Sequence, residues 1–196
     1  MTRPFRTLGP GADHSSPEDR ELIACVARGD RRAFEALYRR YYPRLFGYLL
    51  RLVGSRELAE EVLDDTMVVV WQSAGRFEGR SKGSTWIFGI AYRRALKRLR
   101  RRLRAPASRV SDHVLADLAA PESPERDLDR KEQREAVLLA LAELPVQQRA
   151  VVLLTYFEDL PYAEIASILD CPVNTVKTRM FHARRRLRAV MEEDRR

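Results

Sequence analysis

Eight of the twelve residues from Arg93 to Arg104 are lysine or arginine, and none is acidic. A second cluster, Arg184 to Arg188, closes a segment that reads DLPYAEIASILDCPVNTVKTRMFHARRRLRAVM over 159–191. Side chains of this type hold anions through charge-assisted hydrogen bonds and displace counterions from a polyphosphate. Groups that make or break covalent bonds are sparse. Cys25 and Cys171 are far apart and match no redox or metal-ligand spacing, and His14, His113 and His182 are equally scattered. No nucleophile, base or orienting partner stands at a readable spacing. No catalytic residue, no metal and no cofactor is therefore expected. The net charge of +8, from 36 Lys+Arg against 28 Asp+Glu, points to a polyanion partner.

The elements that must carry these charges are helical. With 45% hydrophobic residues in 196, the chain can bury one globular domain or two small ones. Strand signals are nearly absent, so the expected fold class is all-α. Phe34, Leu37, Tyr38 and Tyr41 recur at steps of three and four; Pro43 restarts the pattern, which continues through Leu45, Leu49 and Leu52. Gly54 and Ser55 supply a stop and a cap. The next helix, about 56–74, repeats its apolar residues at Leu58, Val62, Met67, Val69, Val70 and Trp71 and has an acidic start. A glycine-rich basic loop, GRFEGRSKGS over 75–84, leads to a helix capped by Ser84 or Thr85. There Phe88, Tyr92, Ala95, Leu99 and Leu103 form one stripe, and Arg93, Lys97, Arg100 and Arg104 run along another face.

Residues 1–19, with three prolines and two glycines, read as a flexible leader, and 105–130, proline-containing and acidic, as a linker. Helical periodicity resumes at about Lys131, giving two small helical domains over 20–104 and 131–196. The longest apolar run, Ala136 to Ala142, is far short of the roughly 20 residues that cross a bilayer. No secretory signal is readable, so no membrane insertion and a cytoplasmic location are expected.

In the second domain a short helix over 162–169, a tight turn over 170–173 and a helix from Asn174 to about Met191 have the sequence form of a helix-turn-helix. Val176, Met180, Ala183, Leu187 and Val190 form the stripe that must bury. The opposite face carries Lys177, Thr178, Phe181, His182 and Arg185, with Asn174 or Thr175 as cap. A helix about 10–12 Å across fits the roughly 12 Å major groove. Lys177 and Arg179 can reach phosphates or guanine edges, and Thr178 and Phe181 can meet a thymine methyl. A solvated basic helix in a bundle is the plainer alternative. For loop 75–84, small residues, donors and flanking aromatics (Phe77, Trp86, Phe88, Tyr92) suit an extruded base, although Trp86 and Phe88 also suit a core. The dense arginine helix alone could be an interfacial membrane helix.

Taken together, FEALYRRYYPRLFGYLLRLVGS, AEEVLDDTMVVVW, FEGRSKGSTWIFGIAYRRALKRLRR, an acidic linker, LAELPVQQRAVVLLTYFEDLPYAEIASILDCP and NTVKTRMFHARRRLRAVM resemble, in order, the bacterial sigma factors of the extracytoplasmic-function (ECF) group. The resemblance covers about 20–192. It implies a non-enzymatic transcription initiation factor whose region 2 (20–104) docks on the clamp of the β′ subunit of core RNA polymerase and captures the melted −10 element. Region 4 (131–196) would read the −35 element as duplex. Core polymerase contacts are then expected from Glu60, Glu61, Asp64, Asp65, Val69 and Trp71. The −10 contacts are expected from Arg76, Phe77, Arg80, Ser81, Lys82, Ser84, Arg93, Lys97 and Arg100. The −35 contacts are expected from Asn174, Thr175, Lys177, Thr178, Arg179, Phe181, His182 and Arg185. An anti-sigma factor is a further implied partner. The family usually has other residues where Asp64, Met67, Arg93, Phe181 and His182 stand. A stand-alone helix-turn-helix regulator, binding duplex DNA as a dimer, is the alternative from a different class.

Overall fold

A computed structural model describes residues 17–104 and 136–193, so the expectations for the leader up to residue 16, for the 105–130 linker and for a helix start at Lys131 lie outside the described residues. Among the described residues every regular element is helical: α1 Pro17–Ala27, α2 Arg31–Val53, α3 Arg56–Ser73, a 3-10 turn Ala74–Arg76, α4 Gly83–Arg104, α5 over 136–142, α6 Val146–Tyr156, α7 Tyr162–Leu169 and α8 Val173–Glu193.

Local chemistry sets most boundaries. The Asp30 carboxylate accepts from the N–H groups of Arg32 and Ala33, closing the start of α2. Gly54 ends α2 in the left-handed region (φ 69°), its N–H donating to the Leu50 carbonyl, and Ser55 Oγ accepts from Leu58 N–H to start α3. Pro43 does not restart the pattern as expected; it lies inside an unbroken α2. It sits on the exposed side, where water can satisfy the carbonyl that loses its partner, while buried Leu37, Tyr41, Leu45 and Leu49 hold the helix on both sides.

α1 begins at Pro17, three residues inside the stretch expected to be leader. Asp19 explains this: its buried carboxylate accepts from the Tyr41 hydroxyl at 2.6 Å and from Arg40 Nη1 at 2.7 Å. Burial, and then this acceptor, push the Tyr41 phenol far above its ordinary pKa. Helix α4 enters beside α1 at Gly83, where a Cβ would stand 3.0 Å from Ile23 Cδ1 and 3.1 Å from Asp19 Cβ. Helices α1–α4 thus enclose one core around Tyr41, Phe88, Leu37, Leu45 and Leu63.

The second body packs α6, α7 and α8 around Val151, Leu153, Leu154, Ile165 and Met180. Arg149 ties α5 to α6 by donating to the carbonyls of Ala142 and Leu144. The two bodies also touch: α6 packs on α2 and α7 on α4, so their buried residues form one continuous cluster.

Replacing Tyr41 by Phe keeps the ring and removes one charge-assisted bond to a buried carboxylate. It is expected to cost about 1.5–3 kcal/mol in urea unfolding followed by tryptophan fluorescence.

Candidate nucleic-acid interface

The corner between α7 and α8 is made by Asp170 in the left-handed region (φ 50°), whose N–H donates to the Ala166 carbonyl, as the Cys171 N–H does at 3.1 Å. Val176, Met180 and Ala183 bury against α6 and α7, with Leu187 and Val190 half-buried behind them. That choice of face turns Asn174, Lys177, Thr178, Phe181 and Arg185 to solvent, Phe181 being 63% exposed. Thr175, Arg179 and His182 are half-buried. Asn174 and Thr175 do not cap the helix as expected. α8 starts at Val173, so both lie in its first turn, and the Thr175 and Val176 N–H groups donate to the Pro172 carbonyl. Instead, the Asn174 carbonyl accepts from the Thr178 hydroxyl at 2.9 Å.

Gln148 of α6 joins Asn174, Thr175, Thr178, Arg179 and His182 around a shallow groove. The sequence pattern did not mark Gln148, because only the α6–α8 packing brings it there. Arg179 Nη1 lies 3.6 Å from Cys171 Sγ, and Arg184 donates to the Tyr156 hydroxyl at 2.8 Å, so part of the basic charge is held against the body of the fold.

In the first body the loop before α4 presents Arg76, Arg80 and Lys82 to solvent and leaves Ser81 and Phe77 half-buried, with the Phe77 and Trp86 rings 5.0 Å apart. Gly79 takes φ 70°, and its carbonyl accepts from Arg20 Nη2 at 2.6 Å, so α1 restrains the loop. Arg80 pairs with Glu78. Ser84 and Thr85 do not cap α4, which begins at Gly83; Ser84 is fully buried. Arg93, Lys97 and Arg100 lie exposed along α4 and, with Leu96 and Arg101, line a second shallow groove.

Arg98 points the other way, to α3, where Nη1 meets Glu61 at 2.6 Å and Nη2 meets Asp65 at 2.7 Å. Those carboxylates hold its guanidinium pKa above the usual value, the Asp65 hydrogen bond first. Glu60 pairs with Arg56 within α3, and Asp64 is exposed beside Tyr38, whose phenol is raised by burial and then by that charge. The acidic face continues into apolar surface at Val68 and Trp71, and the Trp71 ring stands edge-on to Phe34 at 5.2 Å. Val69, expected on this face, is half-buried; its neighbour Val68 is the exposed one. The helical period 61, 64, 68, 71 carried that signal. Among the described residues no three His, Cys, Asp or Glu side chains converge as a metal site, and no helix is long and apolar enough to cross a membrane.

Comparison with known proteins finds a match for each of the two bodies. The pattern of Sigma-70 region 2 matches residues 37–105 and that of Sigma-70, region 4 matches 134–187. The RNA polymerase sigma-H factor of Pseudomonas aeruginosa is 35% identical over 177 residues, covering 85% of this chain and 90% of that protein. The ECF RNA polymerase sigma-E factor of Haemophilus influenzae is 31% identical over 176 residues, covering 85% and 91%. CnrH, solved in complex with the cytosolic domain of CnrY, shares the fold with a TM-score of 0.67 at 24% identity, over 90% of this chain and 99% of that one. The sigma factor RpoE of Bartonella quintana, solved with the anti-sigma factor NepR, shares it with a TM-score of 0.64 at 23% identity, over 81% and 96%. With both regions matched in order and relatives above 30% identity across most of either chain, this chain belongs to the sigma-70 family of RNA polymerase sigma factors, in its extracytoplasmic-function group.

Proposed function

We propose a division of labour within this initiation factor, carried above all by one observation: α8 buries Val176, Met180 and Ala183 and thereby turns Lys177, Thr178 and Phe181 outward at its N-terminal half. That is the end of a recognition helix that approaches base edges. Asn174, Thr175, Arg179, His182 and Arg185 flank those three and contact the −35 duplex through phosphates and base edges. Arg76, Phe77, Arg80, Ser81 and Lys82, with Arg93, Lys97 and Arg100 on α4, receive the melted −10 strand. Stacking of a base on an aromatic ring contributes about 1–3 kcal/mol there, and phosphate neutralisation adds salt-dependent affinity. Ser84 serves this site only if the start of α4 shifts.

The α3 face with Glu60, Glu61, Asp64 and Trp71 docks on the clamp of the β′ subunit of core polymerase; Asp65, paired with Arg98, braces it against the DNA-binding helix. Residues 20–104 act as region 2, joined by 17–19 of α1, 105–130 as the connection and 131–196 as region 4. The protein acts by binding, without chemistry or cofactor of its own, in the cytoplasm. An anti-sigma partner is part of this proposal, supported by the complex solved for the Bartonella quintana sigma factor. A stand-alone dimeric regulator is not favoured, because the match extends over region 2 as well as the helix-turn-helix.

The test is reconstitution: purified protein yields transcripts from a matched promoter only when core polymerase is added. Binding of a palindrome with no initiation would overturn the assignment. Lys177→Ala is expected to weaken binding of the −35 duplex by about 1–3 kcal/mol at fixed salt, measured by fluorescence anisotropy. Glu61→Arg reverses one charge on the docking face while Arg98 keeps Asp65 as partner. It is expected to lower recovery of core polymerase in pull-down with an unchanged circular dichroism spectrum.

A further inference from the structure

Helix α1 grips the loop before α4 at two glycines. Arg20 Nη2 donates to the Gly79 carbonyl at 2.6 Å. Three atoms of the same guanidinium crowd the space a Cβ on Gly79 would fill, Nη2 at 3.0 Å, Cζ at 3.1 Å and Nε at 3.2 Å. Gly79 also takes φ 70°, a conformation that strains any side chain, so both the close approach and the backbone call for glycine there. Four residues later Gly83 meets Ile23 and Asp19 of the same helix, again in tighter contact than a Cβ would leave undisturbed.

The backbone that carries Arg20 is itself fixed. Its neighbour Asp19 is buried and takes the Tyr41 hydroxyl and Arg40, and Ile23 and Val26 lie in the core. Arg20 is thus an exposed side chain on an anchored helix, reaching across 59 residues of sequence to the 78–80 bend. The loop's own restraints are weaker or lie at its ends. The Phe77 N–H donates to the Ala74 carbonyl and the Trp86 N–H to the Lys82 carbonyl. Arg80 pairs with Glu78 two residues away, with side chains 84% and 61% exposed, and an ion pair this wet contributes little. A loop that has to order when a strand arrives loses affinity to entropy, and one already held does not.

We propose that Arg20 is a positioning residue for strand capture. By fixing the 78–80 bend on α1 it sets the loop in the shape in which Arg76, Phe77 and Arg80 meet the single strand, and it acts through the Gly79 backbone rather than by holding a phosphate. The inference rests on the assignment of loop residues 76–82 to the −10 strand and extends the construction of that site to α1.

The test uses the full chain and a fluorescein-labelled, mixed-sequence, single-stranded DNA 20-mer, with affinity read by anisotropy at several salt concentrations. Arg20→Ala is expected to weaken binding by about 5–10-fold at fixed salt and to leave the slope of log affinity against log salt unchanged. A residue that held a phosphate itself would lower that slope by about 0.7, and such a drop overturns the positioning role. Gly79→Ala changes no charge; it displaces the guanidinium, strains the backbone and is expected to give a similar loss. Because both variants break one contact, the double variant should lose less than the product of the two single losses. Multiplicative losses overturn the proposal, as does unchanged binding by either single variant. Should Arg20→Ala lose its helical circular dichroism, Gly79→Ala decides, since it lies outside every helix: weaker binding at an unchanged salt slope sustains the proposal and unchanged affinity overturns it. Arg80→Ala separates the two claims, because it removes a cation that the strand site uses directly. If it binds the probe as the parent does, the strand assignment fails and the anchor with it. If it binds more weakly while Arg20→Ala and Gly79→Ala do not, only the anchor falls.

Discussion

A short amphipathic helix can bury one face only, and this chain uses that restriction twice. Helix α4 commits Ile87, Phe88, Ala91 and Ala95 to the core of the first body, and α8 commits Val176, Met180 and Ala183 to the second. Once those stripes are buried, the remaining faces have no choice of direction, and they are the faces that carry arginine and lysine. Burial of about 25 cal/mol per Å² of apolar surface therefore aims the charges, at no cost to the charges themselves. The guanidiniums need no buried partner to be positioned; they need a well-packed back.

In a chain of net charge +8, the acidic residues do most of the restraining. Asp19 fixes α1 on α2 through Tyr41 and Arg40, Glu61 and Asp65 fix α4 on α3 through Arg98, and Glu158 and Glu164 fix the second body on the first. Each of these pairs joins segments distant in sequence, whereas Glu35–Arg39 and Glu60–Arg56 are single-helix pairs on the surface and are worth little. Arg93 and Arg100, along the outward face of α4, and Arg185 on α8 stand exposed instead.

The sequence made local signals legible and hid distant ones. The Gly54–Ser55 boundary, the bounds of α7 and the buried stripe of α8 could be read because each depends on neighbours within about four residues. The same locality misled at Pro43, where the rule that proline breaks a helix gave way to tertiary burial on either side. It misled again at Ser84, whose hydroxyl looks like a cap and whose backbone lies one residue inside α4. Lys177 and Phe181 needed only helical phase to be placed. Gln148 in the groove, Arg20 on the Gly79 carbonyl and Glu158 on Arg44 needed the assembled fold, and no periodicity announces a contact across 114 residues.

The two ends of the seam between the bodies differ in their access to water. The Lys82–Glu164 pair has side chains 44% and 17% exposed, and the Arg44–Glu158 pair 24% and 7%. Dissolved ions with a screening length of about 8 Å at physiological strength reach the wetter pair first and leave the drier one nearly intact. As ionic strength rises, the contact beside the glycine loop therefore weakens first, while α2 stays joined to the turn that follows α6.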